Sequence, residues 1–156
     1  FVLFSEQAVV APFRNGQALM FRITNGRHNQ LIELSATVIY AQFEMENGKQ
    51  TRRFYPIPLQ LNKLSFFTLS WTLVHSIDEE SPLHGLTEAD LRERDAEVLI
   101  LLTGTDETFS QTVHTRSSYK WDEIVWGARF ANIYNPPTED GLVTIDVRRL
   151  SAIEKV

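Results

Sequence analysis

The chain contains no cysteine. That excludes a disulfide scaffold and any thiolate zinc site, and it suits a reducing compartment. Long hydrophobic runs are also missing. The longest apolar stretch, Val98 to Leu102, is strand-sized and far below the roughly 20 residues of a membrane helix. Nothing at the start has the form of a secretory signal. There is no surplus of positive charge: 15 Lys and Arg stand against 20 Asp and Glu, a formal −5. Recognition of a phosphate backbone therefore has no electrostatic footprint, and no nucleic-acid partner is expected. Glycine-rich phosphate loops, a G-x-S-x-G elbow and an H-E-x-x-H pair are all lacking, so no cofactor, catalytic centre or metal site is expected.

What is present is an ordinary globular composition. A content of 43% hydrophobic and 22% charged residues in 156 is enough for one domain with a sizeable core, taken as 1–156. The chain opens at Phe1 inside FVLF without an initiator Met, and is read as a piece of a longer protein. Four turn signals punctuate it: Asn15-Gly16, Asn25-Gly26, Asn47-Gly48 and Asp140-Gly141. The first, third and last sit between strand-like runs: Ala8–Phe13 and Gln17–Thr24, Leu31–Glu44 and Gln50–Pro58, Asn132–Tyr134 and Leu142–Val147. Alternation assigns faces. Leu19, Phe21 and Ile23 point inward, as do Leu69, Trp71, Leu73, His75 and Ile77. Ile32, Leu34, Ala36, Val38 and Tyr40 form one apolar face, which turns Glu33, Ser35 and Thr37 away from the core. Val98 to Leu102 is apolar on both faces, as in a central strand. One helix is expected after Thr87, with Asp90 at its third position. Pro136-Pro137 marks a loop. Many short strands with one short helix imply an all-β, immunoglobulin-like β-sandwich.

Few constellations offer chemistry. His75, Asp78, Glu79, Glu80 and His84 cluster without the spacing of a metal motif, and His75 on an apolar face is expected to be a satisfied, half-buried histidine. Ser81 with His84, or Ser117 and Ser118 with His114, lacks a third catalytic member. Glu33 is the acid of interest. Alone it is ordinary surface, but repeated around a ring of subunits it becomes a ring of carboxylates that concentrates cations. Glu107 and Arg116 are a second pair of interest. Glu107 lies within, and Arg116 beyond, the segment Gly104, Thr105, Asp106, Glu107, Thr108, Phe109, Ser110, which is either a plain hairpin turn or a loop shaped to line an axis.

Three stretches carry a resemblance: FSEQAVVAPFRNGQALMFRITNGRHNQLIE from Phe4 to Glu33, HSIDEESPL from His75 to Leu83, and TRSSYKWDEIVWGARF from Thr115 to Phe130. Together they resemble the cytoplasmic domain of inward-rectifier potassium channels, the prokaryotic branch especially, over nearly the whole chain. The resemblance implies a homotetramer with fourfold symmetry beneath a membrane pore, at the cytoplasmic face of the inner membrane. It implies that the vestibule passes K⁺ and admits Mg²⁺ or polyamines as blockers. Glu33 matches a pore-facing acid, and Thr103 stands where strong rectifiers carry a second one, a departure that weakens polyamine block. Two further acids of those rectifiers are missing around LNKLSFF. Gly104 to Ser110 matches the loop that narrows the cytoplasmic pore, and Glu107 with Arg116 matches a gating charge pair. Arg27 and His28 match a lipid-proximal site. Most anionic-lipid binding is expected in a linker that would precede Phe1. The pore itself, with its helices and filter, is not in this chain. The competing expectation is a free-standing soluble sandwich that binds a partner without a pore.

Overall fold

Strand-period alternation and turn chemistry organise the chain into two facing sheets. The computed structural model describes residues 2–26, 30–67 and 69–156. In chain order the strands are β1 (Val2–Phe4), β2 (Ala8–Phe13), β3 (Gly16–Asn25), β4 (Leu31–Glu46), β5 (Lys49–Ile57), β6 (Lys63–Phe67), β7 (Ser70–Ile77), β8 (Glu97–Asp106), β9 (Gln111–Lys120), β10 (Ile124–Trp126), β11 (Ala128–Phe130) and β12 (Ile153–Lys155), with one α-helix, α1 (Glu88–Glu93), among the described residues. In the first sheet β3 is central, with β7 on one side and β2 and β1 on the other, and β10 pairs parallel to β2. In the second, β4 pairs with β8 on one side and with β5 and β6 on the other, and β9 closes the far edge. β11 and β12 form a small separate ladder. The core lies between the two sheets, where Leu19, Phe21, Ile23 and Leu73 meet Leu34, Val38, Tyr40, Val98, Ile100 and Leu102. This is the immunoglobulin-like sandwich expected from the alternation.

Local signals explain several elements. Asn47 and Gly48 have φ of 51° and 78°, the positive values a tight two-residue hairpin between β4 and β5 requires. Thr87 caps α1: its hydroxyl accepts from the Asp90 N–H, and Asp90 Oδ2 accepts from the Thr87 N–H at 2.8 Å.

Other expectations are corrected. The first hairpin turns at Arg14-Asn15, with Arg14 at φ 53°, and Gly16 already belongs to β3. The last turn does not join two strands. Gly141 adopts φ 78°, but pairing there is a single bridge, Tyr134 to Ile145, followed by a 3-10 turn at Val147–Arg149. Leu142, Val143 and Val147 are exposed, so nothing apolar drives a ladder. Leu19, Phe21 and Ile23 are buried as expected, but Arg22 and Thr24 on the other face are buried as well, at 4% and 0% exposure. The C-terminal segment folds over the outer side of β3 and covers Arg22, while the Thr24 hydroxyl donates to the Leu69 carbonyl at 2.7 Å. Arg22 donates from Nε to the Leu150 carbonyl at 3.0 Å, from Nη1 to Ala131 at 2.6 Å and from Nη2 to Arg149 at 2.7 Å, and stacks over Phe130.

The stretches His75–Leu83 and Thr115–Phe130 include residues that join the two sheets. Buried Tyr119 reaches from β9 to the first sheet and donates to the Ser5 carbonyl at 2.8 Å; burial pushes its phenol up to about 12. Beyond it the chain crosses from the second sheet, through a 3-10 turn at Trp121–Glu123, into the first as β10.

Candidate functional site

The outer face of the second sheet holds most of the residues of interest. Partners there follow from register. Ser35 lies beside Lys63 on one side and Thr103 on the other, and Thr103 faces His114. The adjoining rows are Thr37, Leu101 and Arg116, then Ile39, Leu99 and Ser118. Directly opposed residues share a face, and Ala36 with Leu102 occupies the core between these rows, so all three rows point outward.

Glu33 sits at a β-bulge. Leu31 and Ile32 pair with Asp106 and Thr105, but Ser35 pairs with Thr103, so Glu33 and Leu34 together oppose the single residue Gly104. Glu33 takes φ 51°, a left-handed value uncommon for a residue with a side chain. The bulge reverses the phase of alternation. Leu31 is buried and Ile32 only half-buried, the opposite of the uninterrupted pattern, whereas Glu33 is exposed as the sequence implies. A Cβ on Gly104 would stand 3.4 Å from the Leu34 side chain, so the glycine lets β8 lie close against the bulge.

The segment from Gly104 to Ser110 divides in two. Gly104, Thr105 and Asp106 are still strand, and Asp106 is buried. Only Glu107 to Ser110 form the connection to β9, with Ser110 at φ 51° and Phe109 exposed. The glycine does not end the strand because its partners on β4 and β9 continue past it. Glu107 and Arg116 are not brought together within one chain. Arg116 lies opposite Leu101, five residues along β9 from the turn, roughly 17 Å away at a strand rise of about 3.4 Å per residue. Arg27 and His28 lie outside the described residues.

The outer side of Val98 to Leu102 is not covered. β8 is central, yet Leu101 is 41% exposed and Leu99 and Ile39 are half-buried. With Thr37, Arg116, Ser117 and Ser118 they line a shallow cavity of about 460 Å³. The apolar outer face of a central strand thus meets solvent in a single chain.

His75 is buried, with Nδ1 at 2.7 Å from the Pro58 carbonyl and Nε2 at 2.8 Å from Ser81 Oγ. Ser81, weighed with His84 from the sequence, meets His75 in the fold. Among the described residues no carboxylate completes a triad, since the carbonyl of Pro58 occupies that position. Asp78 caps the turn before Ser81, accepting from the Glu80 N–H at 3.0 Å. Ser118 and His114 share a face but lie four residues apart on one strand, about 14 Å, out of hydrogen-bond reach. Among the described residues no group of three or more His, Asp or Glu is placed to hold a metal ion, and no helix is long and apolar enough to cross a membrane. Sequence reasoning missed two charged residues: Lys63, in the row beside Glu33, and the buried Arg22.

These features define an all-β sandwich domain whose candidate residues lie on an outer sheet face and not in an enclosed cleft. The chain belongs to the inward rectifier potassium channel C-terminal domain family, whose model matches residues 2–156. It is 37% identical over 153 residues to the inward rectifier potassium channel Kirbac3.1 of Paramagnetospirillum magnetotacticum, covering 97% of this chain and 52% of that protein. It is 31% identical over 165 residues to the human ATP-sensitive inward rectifier potassium channel 8, covering 99% of this chain and 37% of that protein. The chain thus spans about half the length of the first relative and less of the second. Among solved structures, Spo0M, a sporulation control protein from Bacillus subtilis, aligns over 80% of this chain and 48% of its own at 8% identity; its TM-score of 0.38 is too low to support an argument.

Proposed function

We propose that this chain is the cytoplasmic regulatory domain of an inward-rectifier potassium channel. Four copies surround an axis, line the intracellular ion path and couple lipid or ligand signals to the gate. The observation that carries this reading is Glu33, an acid held exposed at a bulge on the sheet whose outer face also carries an apolar strip that a single chain leaves open. A second copy covering Ile39, Leu99 and Leu101 would remove that apolar surface from water, and fourfold repetition would turn Glu33 into a ring. Four chains carry a formal −20, four times the −5 of one, which favours K⁺ in the vestibule and Mg²⁺ or polyamines as blockers. In this reading the domain stands at the cytoplasmic face of the cell membrane, and anionic lipid acts mainly on segments outside the chain.

Glu33→Gln in the full channel is expected to weaken block by internal Mg²⁺ about fivefold, the scale of one unit charge against a divalent ion at roughly 8 Å in water. Patch recording with a Mg²⁺ titration measures it, and unchanged block would remove Glu33 from the ion path. Glu107 and Arg116 stand too far apart to pair within a chain, so a gating interaction between them must join neighbouring copies. Reversing either charge should change open probability, and the double reversal should restore it in part; strictly additive effects would show that the two do not interact.

A further inference from the structure

We propose that Lys63 sets the cation selectivity of the Glu33 site: it is the fixed positive charge that balances Glu33 on the same outer face. The inference rests on the vestibule reading and deepens it. β6 and β4 run in constant register on both sides of the bulge, with Ile32 beside Phe66, Leu34 beside Leu64 and Ser35 beside Lys63. The position facing Glu33 is therefore Ser65, and Lys63 is the diagonal neighbour two residues on. Such neighbours are about 7–8 Å apart, within mutual reach of a glutamate and a lysine side chain.

Both side chains are exposed, and neither takes part in any ion pair found among the described residues. Lys63 shares its row with Ser35, Thr103 and His114, so its ammonium is presented on the side of the sheet where Glu33 acts. Each copy then offers one carboxylate and one ammonium to the same patch, with no formal net charge from the two. A cation arriving there meets a dipole and not a bare acid. The penalty grows with the charge of the incoming ion, so Lys63 disfavours divalent and polyvalent blockers more than K⁺.

The ordinary role for a lysine at this place is edge protection, because among the described residues β6 pairs with β4 alone and an edge lysine deters further strand pairing. The two roles differ in what they predict for ion block. In the full-length channel, Lys63→Gln is expected to tighten block by internal Mg²⁺ about fivefold, and the gain should shrink as ionic strength rises. Lys63→Arg, which keeps the charge, should block like the parent. Lys63→Met serves where the Gln variant fails to assemble, with the same expected gain. If Glu33→Gln weakens block while both neutral Lys63 variants leave it unchanged, the lysine role is overturned and the vestibule reading stands. If neither position alters block, both fall together.

Discussion

Replacing Arg22 by methionine is expected to destabilise the 156-residue chain by about 3–5 kcal/mol and to release its C-terminal segment first. Arg22 is 4% exposed, and among the described residues no carboxylate pairs with it. Burial, with Arg149 nearby, pulls its guanidinium below the ordinary arginine value. An isolated buried cation is costly. What offsets that cost here is three carbonyl oxygens from two separate stretches, Ala131 on one side and Arg149 with Leu150 on the other, and the face of Phe130 at 4.7 Å. The planar fork of arginine reaches all three; a lysine ammonium, with its donors at a single point, does not. Methionine keeps much of the volume and removes the buried charge, which on its own is sometimes neutral. The loss comes from leaving three carbonyls without a strong donor. Other ties on the segment are Gln7 Nε2 to the Ser151 carbonyl at 2.5 Å, the Glu6 N–H to Ser151 Oγ at 2.8 Å, the short β11–β12 ladder, and the buried side chains of Ile133 and Leu150. Amide exchange should therefore accelerate at Ala131, Ala152 and Asp146 ahead of the core strands, and urea denaturation should show the loss in total stability. A variant within 1 kcal/mol of the parent, with unchanged exchange at those amides, would show that the guanidinium does not hold the segment.

Arg22 also shows where sequence reasoning stops. Alternation correctly placed Leu19, Phe21 and Ile23 inward, because period-2 patterning reports the face turned to the opposite sheet. It is blind to a loop that returns from more than a hundred residues away to cover the other face, and so says nothing of what buries Arg22. The bulge at Glu33 is a similar case. Its one-residue shift occurs only against β8, and nothing in the string LIELS announces it, since glycine or asparagine would be the usual marker of a left-handed position and a glutamate is not. Glu33 was still placed off the core because the long run from Leu34 to Tyr40 fixes the phase on one side of the bulge. The cap at Thr87 and the hairpin at Asn47-Gly48 were legible because their chemistry is contained within four residues. Lys63 was legible only as a missing acid. Its row beside Ser35 depends on the pairing of β6 with β4, a long-range register that composition does not encode.

Stability of the chain should also fall as pH drops below about 6.5, through His75. The Pro58 carbonyl can only accept, so Nδ1 carries the proton and Nε2 accepts from the Ser81 hydroxyl. Ser81 Oγ in turn accepts from the Leu83 N–H at 3.1 Å. A second proton on the ring would place an N–H against Ser81 Oγ and leave the buried hydroxyl hydrogen without that acceptor. Burial pushes the imidazole below its ordinary 6.5, opposed in part by the Pro58 bond and by Asp78. The folded state then binds fewer protons than the unfolded one between the two values. The contribution of neutral His75 is complete above the unfolded value and is lost as pH falls toward the folded one, at a slope of up to about 1.4 kcal/mol per pH unit. Carboxylates held low by hydrogen bonds, such as Asp90 on Thr87, titrate at more acid pH and do not fill that window. His75→Gln isolates the effect from the other three histidines, because an amide can donate to Pro58 and accept from Ser81 without titrating. Urea midpoints measured from pH 7.5 down to 5 should slope in the parent and flatten in His75→Gln. Parallel slopes would assign the pH dependence to another group and leave His75 a neutral strut at every pH tested.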